Sequence, residues 1–224
     1  MKHTARKIVL LCCILALCLT GCAAGKSTVV YVPFDEWEGK EAVLEMMPDR
    51  SSQRGVLEFD FQEDVQGIAF YCDVWQDGQC IASTPQLRAS STAQIEALVV
   101  SQEMEDSLCR WEFVEKNSDG YCTLATVLEQ EVPTKKGGCG YSYSWLGSSG
   151  KAADLQAGKS YILAQQYFDL TPIVENGAFS TMTPSIDDAQ SDSNKQLEEC
   201  DYAIVLRMDT FATAEEAEAA ANEL

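Results

Sequence analysis

The run Val56-Leu57-Glu58-Phe59-Asp60-Phe61 puts Leu57, Phe59 and Phe61 on one side of an extended chain and Glu58 and Asp60 on the other. That period of two is the mark of a strand with one buried and one wet face. Residues 68–75 follow, apolar on both faces, and Asp77-Gly78 is a tight hairpin turn into residues 80–83. Pairing Gln76 with Gln79 across that turn sets Trp75 opposite Cys80 and points Cys72 to the other face, so Cys72 and Cys80 do not meet without a bulge.

The same periodicity recurs along the chain. Residues 95–101 form a third candidate strand, and 110–116 alternate Trp111 and Phe113 with Arg110 and Glu112. Asn117-Ser118-Asp119-Gly120 then turns the chain into 121–131, which sets Cys122 near the turn and Cys109 well away from it on the other arm. Residues 141–146, 161–170 and 202–208 complete roughly eight strands, with turns at the ~8–12-residue intervals of a sandwich or barrel. No long amphipathic helix alternates with them, which disfavours a parallel α/β sheet. The expected fold is mainly β: an antiparallel β-sandwich of immunoglobulin-like or jelly-roll type over residues 51–210. Two segments break the pattern. Residues 171–200, with Pro172 and Pro184, read as a long polar loop, and loops of that length are uncommon. Residues 211–224 read as a short helical tail, with Thr213 and Glu216 spaced as a capping box. A brief helix is also expected over 36–47, capped by Asp35, although Gly39 weakens it.

The first residues carry an address. Lys2, Arg6 and Lys7 precede an unbroken apolar run at 8–19. A basic start followed by such a run is the build of a signal peptide, and the run is too short to cross a bilayer, which takes about 20 apolar residues. Directly after it, Leu19-Thr20-Gly21-Cys22 resembles the lipobox of bacterial lipoproteins. The resemblance is confined to the leader. It implies that residues 1–21 are removed, that Cys22 is acylated, and that residues 22–50 are a lipidated N-terminus and tether. The membrane is then a partner through the lipid anchor, and the chain sits at the cell membrane or envelope, outside the cytoplasm. Two acyl chains on one residue give stable anchoring, where a single chain is marginal. Gly21, Gly25, Lys26 and Ser27 look like a phosphate-binding loop, but only three residues separate the glycines where that motif needs four.

Removing 21 of the 224 residues leaves 203, enough for one large β domain or two small ones, of which one core is the simpler reading. The leader holds three of the 16 basic residues and none of the 35 acidic ones, so 13 face 35 and the mature charge is about −22. Such a chain repels phosphate backbones and disfavours nucleic acid as a partner. The one histidine, His3, lies in the leader. Without imidazole, Ser-His-Asp and Cys-His hydrolysis and the His-containing zinc sites are excluded from the mature chain. No cofactor or metal motif replaces them. Besides Cys22, the mature chain holds Cys72, Cys80, Cys109, Cys122, Cys139 and Cys200. Six is an even number and leaves room for disulfides in an oxidising compartment, while buried free thiols are the alternative.

The segment 137–150 is the most unusual in composition. When it is extended, Tyr141, Tyr143 and Trp145 share one face with small residues between them. Exposed, such a row is a candidate surface for stacking on sugar rings or anchoring a protein; turned inward, it fills a core. Trp37, Trp75 and Trp111 read as core or rim residues. Asp187, Asp188, Asp192 and Asn194 offer oxygens to calcium, but not in EF-hand spacing. The favoured function is a non-catalytic binding or interaction module of the cell envelope, with a glycan or an envelope protein as partner. The alternatives are a carboxylate-dependent glycosidase, which works without histidine, and a structural or assembly subunit of an envelope complex.

Overall fold

The structure is a computed structural model that describes residues 25–47, 53–91, 94–120, 122–133, 140–148, 150–170 and 197–222; side chains at 85–91, 125–127, 140 and 221–222 fall outside the description. It is mainly β, with two antiparallel sheets stacked as the expected sandwich. In chain order the strands are β1 (Thr28–Pro33), β2 (Gln53–Asp60), β3 (Gly67–Gln76), β4 (Gln79–Ser91), β5 (Ile95–Glu105), β6 (Leu108–Asn117), β7 (Cys122–Glu131), β8 (Gly140–Trp145), β9 (Ala153–Asp154), β10 (Ser160–Asp169) and β11 (Tyr202–Phe211). One sheet has the order β7-β6-β5-β2-β1-β9 and the other β4-β3-β11-β10-β8.

The alternation of residues 57–61 is realised in β2, where Leu57 and Phe59 face the core. The hairpin also forms as its turn chemistry requires. Gln76 pairs with Gln79 and Trp75 with Cys80, and Asp77 and Gly78 take φ of 49° and 75°. Positive φ at both central residues is what a two-residue turn between right-twisted strands needs. Gly78 is doubly constrained, since a Cβ there would lie 2.2 Å from the carbonyl oxygen of Glu198.

The core between the sheets is built from inward rows of both. Trp111 and Phe113 of β6, Leu98 and Val100 of β5, and Phe70 and Cys72 of β3 meet Leu206 and Met208 of β11. A second cluster covers the outer face of the first sheet. Phe34 and Trp37, together with Val43 and Met47, close over Val56, Ala97, Val99 and Val114.

Three expectations are corrected. The tether does not extend to residue 50: β1 begins at Thr28 and pairs with β2 and β9. The helix expected over 36–47 is a 3-10 turn (Phe34–Glu36) followed by α1 (Lys40–Met46), capped at Gly39 with no side-chain bond, so Asp35 is not the cap. The strand after the hairpin runs to Ser91 instead of stopping at residue 83. The C-terminal tail is α2 (Ala214–Asn222), and its capping box is present: the Glu216 amide donates to Thr213 Oγ1 at 3.2 Å and Glu216 Oε2 accepts from the Ala212 amide at 3.1 Å.

The sandwich has two distinct ends. At one, β1 starts, β2 finishes at Asp60, and α2 follows β11; we call it the base. At the other, β2 starts, β5 turns into β6, β7 finishes, and β8 starts; we call it the mouth. The eight residues of β2 put the two ends about 25 Å apart at ~3.3 Å per residue.

Candidate functional site at the mouth of the sandwich

Tyr141, Tyr143 and Trp145 of β8 do share one face, and that face is the inner one. They pair with Phe168, Gln166 and Ala164 of β10, all directed into the core. Trp145 is only 8 % exposed; its ring lies 5.6 Å from that of Tyr31, and a Cβ at Gly55 would come within 3.0 Å of it. The row is therefore not a flat exposed platform. Trp145 belongs to the core, Tyr143 is half-buried, and Tyr141, 47 % exposed, stands at the rim.

Beneath Tyr141 the interior becomes polar. The Tyr141 and Tyr143 rings meet edge to face at 5.6 Å. Gln166 Nε2 donates to the Tyr143 hydroxyl at 3.2 Å, and Gln166 Oε1 accepts from Trp111 Nε1 and Cys109 Sγ, each at 3.1 Å. Gln166 is fully buried, so these partners offset the cost of removing its amide from water. Gln102 lies directly across from Trp111, on β5, and is 1 % exposed. Both Nε2 and Oε1 of Gln102 are buried without a hydrogen-bond partner. Across β2, its neighbour is the exposed Gln53 at the first position of that strand.

Burial dominates the electrostatics here. It pushes the Cys109 thiol up to about 12 and raises the Tyr143 and Tyr202 hydroxyls, Tyr143 further through Tyr141. Among the described residues, the strand side chains that face inward at the mouth carry no formal charge. In a chain with 35 acids, that region is suited to neutral chemistry.

Charge gathers instead on the outer face of the second sheet. Arg207 bonds Asp73 Oδ2 at 2.7 Å and also Asp209, with its guanidinium 4.3 Å from the centre of the Tyr71 ring. Burial works against the Arg207 charge, but the two carboxylates outweigh it and hold the guanidinium well above its usual range. Asp73 accepts a further bond from Ser83 Oγ at 2.6 Å. Both acids are tied to one cation, an arrangement that braces β3 against β11.

The cysteines form no site. Among the described residues Cys72, Cys80, Cys109, Cys122 and Cys200 are free thiols, so no two of them make the disulfides that six cysteines left room for. Burial raises all five, Cys200 to about 11 and Cys72 well above the usual thiol range, which leaves none activated as a nucleophile at neutral pH. Cys22, Cys139 and the acids considered for calcium, Asp187, Asp188, Asp192 and Asn194, lie outside the described residues. Among the described residues no three His, Cys, Asp or Glu side chains gather to hold a metal, and no helix is long and apolar enough to cross a membrane. Trp37 and Trp111 are core residues, the former donating to Glu58 at 3.0 Å; Trp75 is half-buried on the outer face of the second sheet.

Sequence reasoning found the aromatic row but missed Gln102 and Gln166. A glutamine inside an otherwise apolar strand face was the available signal: Gln102 interrupts the inward series Leu98, Val100 and Met104, and Gln166 sits between Ala164 and Phe168. No family model, curated protein or solved structure matches this chain.

Proposed function

We propose that this protein is a lipid-anchored lipoprotein of the bacterial cell envelope whose sandwich works as a non-catalytic binding module, with the mouth as its binding end. The carrying observation is the position of Thr28. The chain enters the sandwich at the base, six residues after the lipobox cysteine, so an anchor at Cys22 leaves the mouth on the far side, about 25 Å from the attachment point.

Several features support binding over catalysis. The mature chain has no histidine, the described thiols are held protonated by burial, and the two clustered acids Asp73 and Asp209 are tied to Arg207. A glycosidase needs one carboxyl free to give a proton while another stays ionised. What the mouth offers instead is aromatic surface and amide groups, the equipment of recognition.

Two measurements test the proposal. Intact-mass analysis of the chain recovered from bacterial membranes should show loss of residues 1–21 and a diacylglyceryl group on Cys22, and Cys22→Ser should release the protein from the membrane fraction. An unprocessed Met1 or an unmodified Cys22 sulfur refutes the anchor. Pull-down from native envelopes, repeated with Tyr141→Ala, tests the binding end. Equal capture by both proteins removes the mouth from the proposal.

A further inference from the structure

We infer that the mouth takes the end of an uncharged glycan, with a hydroxyl pair of the terminal sugar hydrogen-bonded to Gln102 and a sugar face lying on Tyr141. This rests on the reading of the chain as a displayed binding module and names the ligand class of that same end.

Gln102 is the starting point. Its side chain holds one acceptor and two donors in a low-dielectric interior, and neither polar atom is satisfied. Leaving such an amide unpaired in the interior is unfavourable, so a group offering both a donor and an acceptor has a ready gain there. Adjacent sugar hydroxyls fit that need: one donates to Oε1 while its neighbour accepts from Nε2.

The surroundings narrow the class. Tyr141, Tyr143, Gln166 and Trp111 form a continuous uncharged track from the rim to the Gln102 position, through the 5.6 Å ring contact and the 3.2 and 3.1 Å hydrogen bonds. A charged sugar or peptide end would be desolvated there with no opposite charge to meet it. A Tyr ring at the rim offers an apolar face to sugar C–H groups and a hydroxyl to water, at little entropic cost. An extended peptide would instead seek the open edge of β8 through its backbone.

The test is a titration of the full chain, purified in detergent, followed by intrinsic tryptophan fluorescence, since Trp111 lies beside Gln102. The probes are neutral tetramers of glucose, galactose, mannose and N-acetylglucosamine, a sialylated oligosaccharide, and a capped tri-alanine peptide. At least one neutral tetramer should give a saturable change, and the sialylated probe should not. Gln102→Leu should weaken that binding by about ten- to a hundredfold, as expected for loss of one or two hydrogen bonds to a buried amide. Its thermal midpoint should stay at or above that of the wild type, which separates lost recognition from lost folding. Gln102→Glu keeps the shape but adds a charge, and should abolish binding. Binding of the peptide with Gln102 dependence overturns the glycan assignment while the binding-module reading stands. A neutral tetramer that binds Gln102→Leu as tightly as wild type overturns the role of Gln102. No saturable change with any probe overturns the glycan assignment, while the pull-down from native envelopes with Tyr141→Ala decides the binding-module reading separately.

Discussion

Gln102 is costly where it sits. A leucine of similar volume removes two unsatisfied polar atoms and adds apolar contact beside Val100 and Trp111. Gln102→Leu should therefore stabilise the protein by about 1–3 kcal/mol, read as a thermal midpoint higher by several degrees. An unchanged or lower midpoint would mean that the amide is satisfied in solution. Arg207 behaves in the opposite way. Arg207→Met leaves Asp73 buried without its cation and should lower stability by about 3–5 kcal/mol, measured by urea denaturation at neutral pH. Glu115 supplies a pH signature. Burial raises its carboxyl, so the folded state holds this proton more tightly than the unfolded chain does. The resulting stability is fully present below the unfolded pKa and is lost as pH rises through the folded one. Glu115→Gln should thus exceed wild type in thermal midpoint at pH 7, with the difference shrinking as pH falls through the carboxylate range. A constant difference at all pH values would rule out this proton as its source.

At the scale of elements, the close fit of α2 on β3 makes Gly67 a sensitive position. A Cβ there would lie 2.4 Å from the Thr213 carbonyl oxygen and 2.9 Å from Ala217 Cβ. Backbone cannot yield as a flexible side chain does, so Gly67→Ala should displace α2 and cost about 1–3 kcal/mol, with hydrogen exchange rising in Ala214–Asn222 before the rest of the sheet. How far such elements were legible depended on how many faces each strand buries. β2 has one core face and one mixed face, and its alternation showed in Leu57, Glu58, Phe59 and Asp60. The turn of the β3–β4 hairpin and its first two pairs were legible because Asp-Gly demands a single register there, whereas the register shift between Val74 and Trp75 and the run on to Ser91 were not. β1 was missed because Val29-Val30-Tyr31-Val32 has no alternation. Val29 and Tyr31 face the core while Val32 meets the second cluster under Trp37, and a strand covered on both faces reads as a continuous apolar run. For β8 the period of two gave the shared face of Tyr141, Tyr143 and Trp145. Which sheet that face would meet is a long-range property, fixed by pairing with β10, and no local pattern contains it.

For the whole molecule, the boundary between tether and fold is a physical question with a clear answer at Ser27. Its hydroxyl donates to Asp64 at 2.5 Å and accepts from the Gln62 amide at 2.8 Å, while its carbonyl accepts from the Leu155 amide at 2.7 Å. Two segments distant in sequence, at 62–64 and at Leu155, thus close on one fully buried serine at the base. From there β1 fills the gap between β2 and β9, with Val29 in the core and Tyr31 against Trp145. A chain begun at Gly25 keeps every one of these contacts and should unfold with the same midpoint as a chain begun at Cys22. A chain begun at Phe34 loses Ser27 and β1 together. It exposes the edge of β2 and removes Val29 and Tyr31, whose burial is worth roughly 1.5–3 kcal/mol each. It also strips the Tyr31 ring from Trp145. That truncation should show no cooperative transition by circular dichroism, and an exposed β2 edge should drive it to aggregate. Equal stability of the two truncations would mean that the sandwich closes without its first strand.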